Sequence, residues 1–177
     1  MIGISALRAL VLALALTFLL IPSMAGASSK RIAELQQIQR LRQTTWSWQK
    51  VMGIVPTPTS HSENRIRNSA YRRWVLRLWQ YRAASVRRRA AHVPHKAQWL
   101  CIHRGEGSWN AHTGNGYYGG LQMDLTFQRT YGGFLLHRNG TADRWSPYEQ
   151  MWIAERAFRS GRGFRPWPNT ARACGLL

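Results

Sequence analysis

The stretch Trp99–Gln122, WLCIHRGEGSWNAHTGNGYYGGLQ, constrains this chain more than any other. It carries one carboxylate, Glu106, between two glycines. Residues 107–120 then hold seven glycines or asparagines: Gly107, Asn110, Gly114, Asn115, Gly116, Gly119 and Gly120. Such residues accept turn and left-handed conformations that others resist, so a tight loop is expected here. Gly107 reads as the residue that ends a helix in the left-handed conformation. Glu106 would then face the negative end of the helix dipole, with Trp109 as a desolvating neighbour. Both effects disfavour the ionised form, as a general acid requires near neutral pH. An ordinary surface Glu beside a loop is the plain alternative.

The chain has 177 residues, enough for one modest domain with appendages. Ala9–Ile21 is an apolar run, and Ala25-Gly26-Ala27 follows with the small-x-small pattern of a signal peptidase site. Residues 1–27 are therefore expected to be a signal peptide, with an uncleaved anchor as the alternative. The run is short for a bilayer span. An exported chain meets oxidising conditions, which favours pairing its two cysteines, Cys101 and Cys174, over leaving them free.

The net charge of +18 is uneven. Residues 28–93 carry 14 Lys and Arg against Glu34 and Glu63, whereas residues 94–177 carry 10 against five acids. Nine arginines and no acid lie between Arg65 and Arg89. In an exported protein this excess points to anionic wall polymers or a membrane surface through residues 65–92, rather than to nucleic acid. A soluble, non-specifically sticky surface is the plain reading.

Taken in order, Lys30–Met52 predicts a helix, from apolar residues at three- and four-residue steps, ended by Gly53. A second helix is expected over about 63–91, capped by Ser62, with an apolar stripe through Ile66, Ala70, Trp74, Leu78 and Tyr81. That stripe predicts packing more than a purely surface-bound helix. A third helix follows Pro94 and carries Trp99, Leu100, Ile102 and His103 towards Glu106. Leu121–Met123 suits a short extended piece. Asp124 or Thr126 can cap a short helix ending at Gly132-Gly133. Ser146-Pro147-Tyr148-Glu149 is a capping box with proline at the first helical position, and Gly161 should end that helix. Asp143 and Glu155 read as solvated or helix-surface charges, and His103, His112 and His137 as structural or solvated.

From Trp99 onward the residues fall into a known order. Trp99 and Cys101 precede Glu106. Trp109, the run Thr113–Gln122 (TGNGYYGGLQ) and Asp124 follow. Then come Thr126-Phe127, Gly132-Gly133, Ser146, Gln150, Ala154-Glu155-Arg156, Trp167-Pro168 and Cys174. This segment, roughly 95–175, resembles the catalytic domain of the resuscitation-promoting factors, a transglycosylase-like family of the lysozyme superfamily. It departs at one place. In the family the cysteine usually sits directly before the catalytic Glu, whereas here Cys101 is five residues upstream.

The resemblance implies a mainly α fold for 94–177, a small lysozyme-like domain with one disulfide; outside the resemblance, periodicity predicts two helices before it in a basic region, 28–93. The resemblance also implies secretion or cell-wall association, and cleavage of the β-1,4 bond between N-acetylmuramic acid and N-acetylglucosamine in peptidoglycan. Glu106 would be the acid. Trp109, Asn115, Tyr117, Tyr118, Gln122, Asp124 and Thr126 would contact the glycan, one of the two tyrosines being buried and the other exposed. No cofactor and no metal are expected. A hydrolase usually needs a second carboxylate, and none stands out at motif strength, which suits a lytic transglycosylase. A hydrolytic muramidase and a wall-binding or signalling module without turnover are the rivals.

Overall fold

The structure, a computed structural model, describes residues 21–64 and 68–177. Apart from Ile21, the apolar run behind the signal-peptide expectation lies outside them, as do Arg65–Arg67. Among the described residues no helix is long and apolar enough to cross a membrane. The described elements are helices α1 (Ile21–Val51), α2 (His61–Asn64), α3 (Ser69–Ala91) and α4 (Lys96–Glu106), then strands β1 (Tyr117–Tyr118) and β2 (Met123–Asp124). Helix α5 (Leu125–Asn139), a 3-10 turn (Ala142–Arg144), α6 (Pro147–Ala157), a π-turn (Phe158–Arg162) and α7 (Pro168–Ala173) follow.

Two compact units divide the chain. The first holds, among the described residues, 21–43 and 59–81. Ile38 and Val75 are buried in it, and so is the face of Trp79 beneath the Arg42 guanidinium, 5.4 Å from the ring centroid. Both acids of the basic region are engaged here. Glu63 accepts the Trp79 indole N–H at 2.9 Å, and Glu34 pairs with Arg72. Ser62, the expected cap, lies inside α2. Asn68 caps α3 instead, its Oδ1 accepting the Ala70 N–H at 2.7 Å.

The second unit holds 44–58 and 82–177, and so reaches beyond the 94–177 segment. The reason is apolar packing: Val51, Met52, Val86, Ala90 and Val93 belong to the same buried cluster as Trp99, Ile102, Leu121, Leu135 and Ile153. Helix α6 runs through its middle, with Gln150–Glu155 buried in unbroken succession. Its start is the expected capping box, Ser146 and Glu149 each bonding the other's backbone N–H. Cys101 and Cys174 form the expected disulfide. The unit is the helix-rich, lysozyme-like domain that the resemblance implied.

Three local expectations are corrected. Gly107 ends α4 in an extended conformation, φ 159° and ψ −177°, not the left-handed one. The helix capped by Asp124 does not stop at Gly132-Gly133 but continues to Asn139. Gly132 is small because a Cβ there would meet the Trp145 ring at 2.7 Å. Glu155 is no surface charge: it is buried, accepting from the Trp99 indole at 3.2 Å and pairing with Arg159 at 3.1 Å.

Candidate active site

Helix α4 delivers Glu106 as its last residue, half-buried at the start of the glycine-rich loop. Its Oε1 accepts the Thr170 hydroxyl at 2.6 Å. Among the described residues no Lys, Arg or His forms an ion pair with it.

The loop is built on a buried amide. Gln150 is fully buried on α6; its Nε2 donates to the Trp109 and Ala142 carbonyls at 2.7 and 2.8 Å, and its Oε1 accepts the Gly120 N–H at 2.8 Å. Gly119 and Gly120 let the backbone come this close. A Cβ on Gly119 would lie 2.5 Å from the Gln150 oxygen, and one on Gly120 would meet His103 and Trp109 within 2.7 Å. Gly119 also has φ +73°, a left-handed conformation that suits glycine. The two glycines turn the chain into an antiparallel hairpin that pairs Tyr117 with Asp124 and Tyr118 with Met123.

Beside this hairpin lies a groove of about 290 Å³, whose walls include Tyr117, Gln122, Asp124, Thr126, Arg162 and Trp167. Four of the expected glycan contacts therefore come together: Tyr117, Gln122, Asp124 and Thr126. Tyr117 is exposed, whereas Tyr118 is only half-buried against the core and not the buried member expected of the pair. Asn115 and Tyr118 are not in the groove wall, although the Asn115 amide reaches the Gln122 oxygen at 3.5 Å. Trp109 is not in the wall either; it stacks on His103, with centroids 3.8 Å apart, and packs against the core. Glu106 stands next to the groove rather than in its wall. Gly107, its neighbour, approaches the Gln122 amide so that a Cβ would lie 3.7 Å from Nε2.

The Asp124 carboxylate has a structural duty, because its Oδ1 accepts the Phe127 N–H at 2.7 Å as the cap of α5. The Ser160 hydrogen bond, aided by Arg162 of the groove wall, holds the Tyr131 phenol below its usual pKa. Among the described residues no group of three or more His, Cys, Asp or Glu could hold a metal ion.

Sequence reasoning missed Thr170 and Arg162. Arg162 lies in the π-turn between α6 and Trp167, where no periodic pattern marks it. The one trace of Thr170 is Gly105, a glycine inside a helix directly before the acid.

The model of the transglycosylase-like domain matches residues 93–170. This segment belongs to the transglycosylase-like domain family. Over 82 residues the chain is 39% identical to the resuscitation-promoting factor RpfE of Mycobacterium tuberculosis, a match that covers 45% of this chain and 44% of that protein. Over 72 residues it is 36% identical to the resuscitation-promoting factor Rpf1 of Corynebacterium glutamicum, covering 40% and 35%. The chain thus spans less than half the length of either relative. All four groove residues expected to contact glycan, and Glu106 with them, fall inside the transglycosylase-like segment.

Proposed function

We propose that the transglycosylase-like domain cleaves the β-1,4 bond between N-acetylmuramic acid and N-acetylglucosamine in peptidoglycan, outside the cytoplasm, with Glu106 as its acid. The observation that carries this reading is a half-buried carboxylate that has no cationic partner among the described residues and is held by a hydroxyl beside a groove with aromatic and amide walls. Flat rings suit sugar faces, and amides suit sugar hydroxyls. Glu106 gives its proton to the leaving glycosidic oxygen as the C1–O4 bond breaks. The carboxylate so formed takes the proton of the muramyl 6-hydroxyl, whose oxygen closes on C1 to an anhydro ring. No water is consumed. The capping duty of Asp124 supports this one-carboxylate route over a hydrolysis that needs a second free carboxylate.

Digestion of purified peptidoglycan by the full chain, read by mass spectrometry, tests the reading. Anhydro-muramyl ends are expected, and reducing ends would mean a muramidase. Glu106→Gln should lose about 10²-fold or more of the rate; full activity in that variant would discard the assignment.

The Cys101–Cys174 bridge supports an extracytoplasmic location. We further propose that the outer face of α3 holds the protein on anionic wall polymers or a membrane surface. Arg73 and Arg77 are exposed there, with Trp74 47% and Tyr81 68% exposed beside them. An Arg73→Ala/Arg77→Ala variant should be eluted from cell walls at lower salt than the parent; an unchanged elution point would reject retention by this face.

A further inference from the structure

Helices α4 and α7 are joined at two levels, one turn apart. The Cys101–Cys174 disulfide is the first. Four residues further along α4 and four residues back along α7, Gly105 faces Thr170: a Cβ on Gly105 would lie 2.7 Å from the Thr170 methyl. The second level is therefore a close approach that only glycine allows without moving Thr170. At this level the Thr170 hydroxyl reaches Glu106 at 2.6 Å, in preference to the Trp167 carbonyl at 3.4 Å.

The other end of the same turn belongs to the groove. Trp167 directly precedes α7 and lines the groove, and its indole N–H donates to the Leu121 carbonyl at 2.6 Å. One short helix thus connects a fixed wall of the groove to the carboxylate, and the disulfide anchors its far end. A free glutamate at a helix end samples several rotamers, most of them unproductive. A short hydrogen bond to one oxygen selects among them and leaves the second oxygen free.

We infer that Thr170 is a positioning residue for Glu106, and that Gly105 is glycine in order to admit it. The inference rests on the reading of Glu106 as the acid. Thr170 itself does not touch the reacting bond. It holds Oε1, so that the other oxygen is presented to the glycosidic oxygen in one orientation.

The test uses the full chain and soluble glycan strands, with kcat and KM measured separately. Thr170→Val keeps the shape and removes the hydroxyl. Gly105→Ala keeps the hydroxyl, but its new methyl must rotate Thr170 away from Glu106; alanine is otherwise the better helix residue. Each variant should lower kcat by roughly ten- to a hundredfold, the range for losing one hydrogen bond to a charged group. KM should stay unchanged, and Thr170→Ser, which restores the hydroxyl, should recover most of the rate. A purely structural role would instead leave kcat of the folded protein alone and lower the unfolding midpoint. If wild type is active and Glu106→Gln is not, yet Gly105→Ala or folded Thr170→Val turns over at the wild-type rate, the inference fails and the acid assignment stands. Should Thr170→Val not fold, Gly105→Ala alone decides. If Glu106→Gln remains active, or the wild type cuts no glycan, the assignment of the acid falls and the inference falls with it.

Discussion

Gln150 is the residue on which the loop depends. Its amide satisfies backbone groups from Trp109, Gly120 and Ala142, which are remote from one another in sequence and would otherwise be buried unpaired. A side chain held by that many bonds cannot move aside. Gly119→Ala should therefore cost about 2–4 kcal/mol, from a positive φ and a contact that the amide cannot relieve. Urea denaturation of the variant measures this. A loss under about 0.5 kcal/mol, the range of ordinary surface changes, would mean that the loop yields. The glycine pair was legible as a turn from sequence alone. Its partner was not, because Gln150 lies 30 residues from Gly120 and reads there as one more helix residue.

At the scale of elements, some caps and stops were legible, since they depend on neighbours within four residues. Gly53 ends α1 as expected: its own N–H bonds the Lys50 carbonyl at 3.2 Å, and that of Ile54 bonds Gln49 at 2.8 Å. The Ser146–Glu149 box is another such case. Gly132-Gly133 misled, because a glycine required for contact with Trp145 looks the same in sequence as one that stops a helix. The pairing of α1 with α3 in the first unit carries a pH dependence. The hydrogen bond from Arg72, followed by its charge, holds the Glu34 carboxyl below its ordinary value of 4.5. A lowered folded pKa stabilises the fold fully above that ordinary value, and the contribution disappears as pH falls through the folded one. The free energy of unfolding should thus decline with acid below about pH 4.5 more steeply in wild type than in Glu34→Gln. Equal slopes would show that the pair contributes nothing.

At the scale of the molecule, the second unit needs residues from outside the 94–177 segment. Val51, Met52, Val86 and Ala90 lie in its core, and the Trp152 indole donates to the Ala90 carbonyl at 2.8 Å. Removing 1–92 should cost on the order of 5 kcal/mol, from several lost apolar side chains at about 1.5–3 kcal/mol each, which is comparable to a domain's whole stability. A fragment 93–177 that melts within a few degrees of the full chain would contradict this. The disulfide closes a separation of 73 residues; a Cys101→Ala/Cys174→Ala variant should lose about 4 kcal/mol, seen as a lower urea midpoint. Residue order by itself determined most of the helices, the Ser146–Glu149 cap, the tight loop and the candidate acid, because each of these is written in near-neighbour spacing and in one distinctive run. Only the tertiary structure decided where the compact unit begins, which expected glycan contacts share a wall, and which hydroxyl holds Glu106. Those are outcomes of packing between segments far apart in the chain, and helix periodicity says which face is buried without saying what covers it.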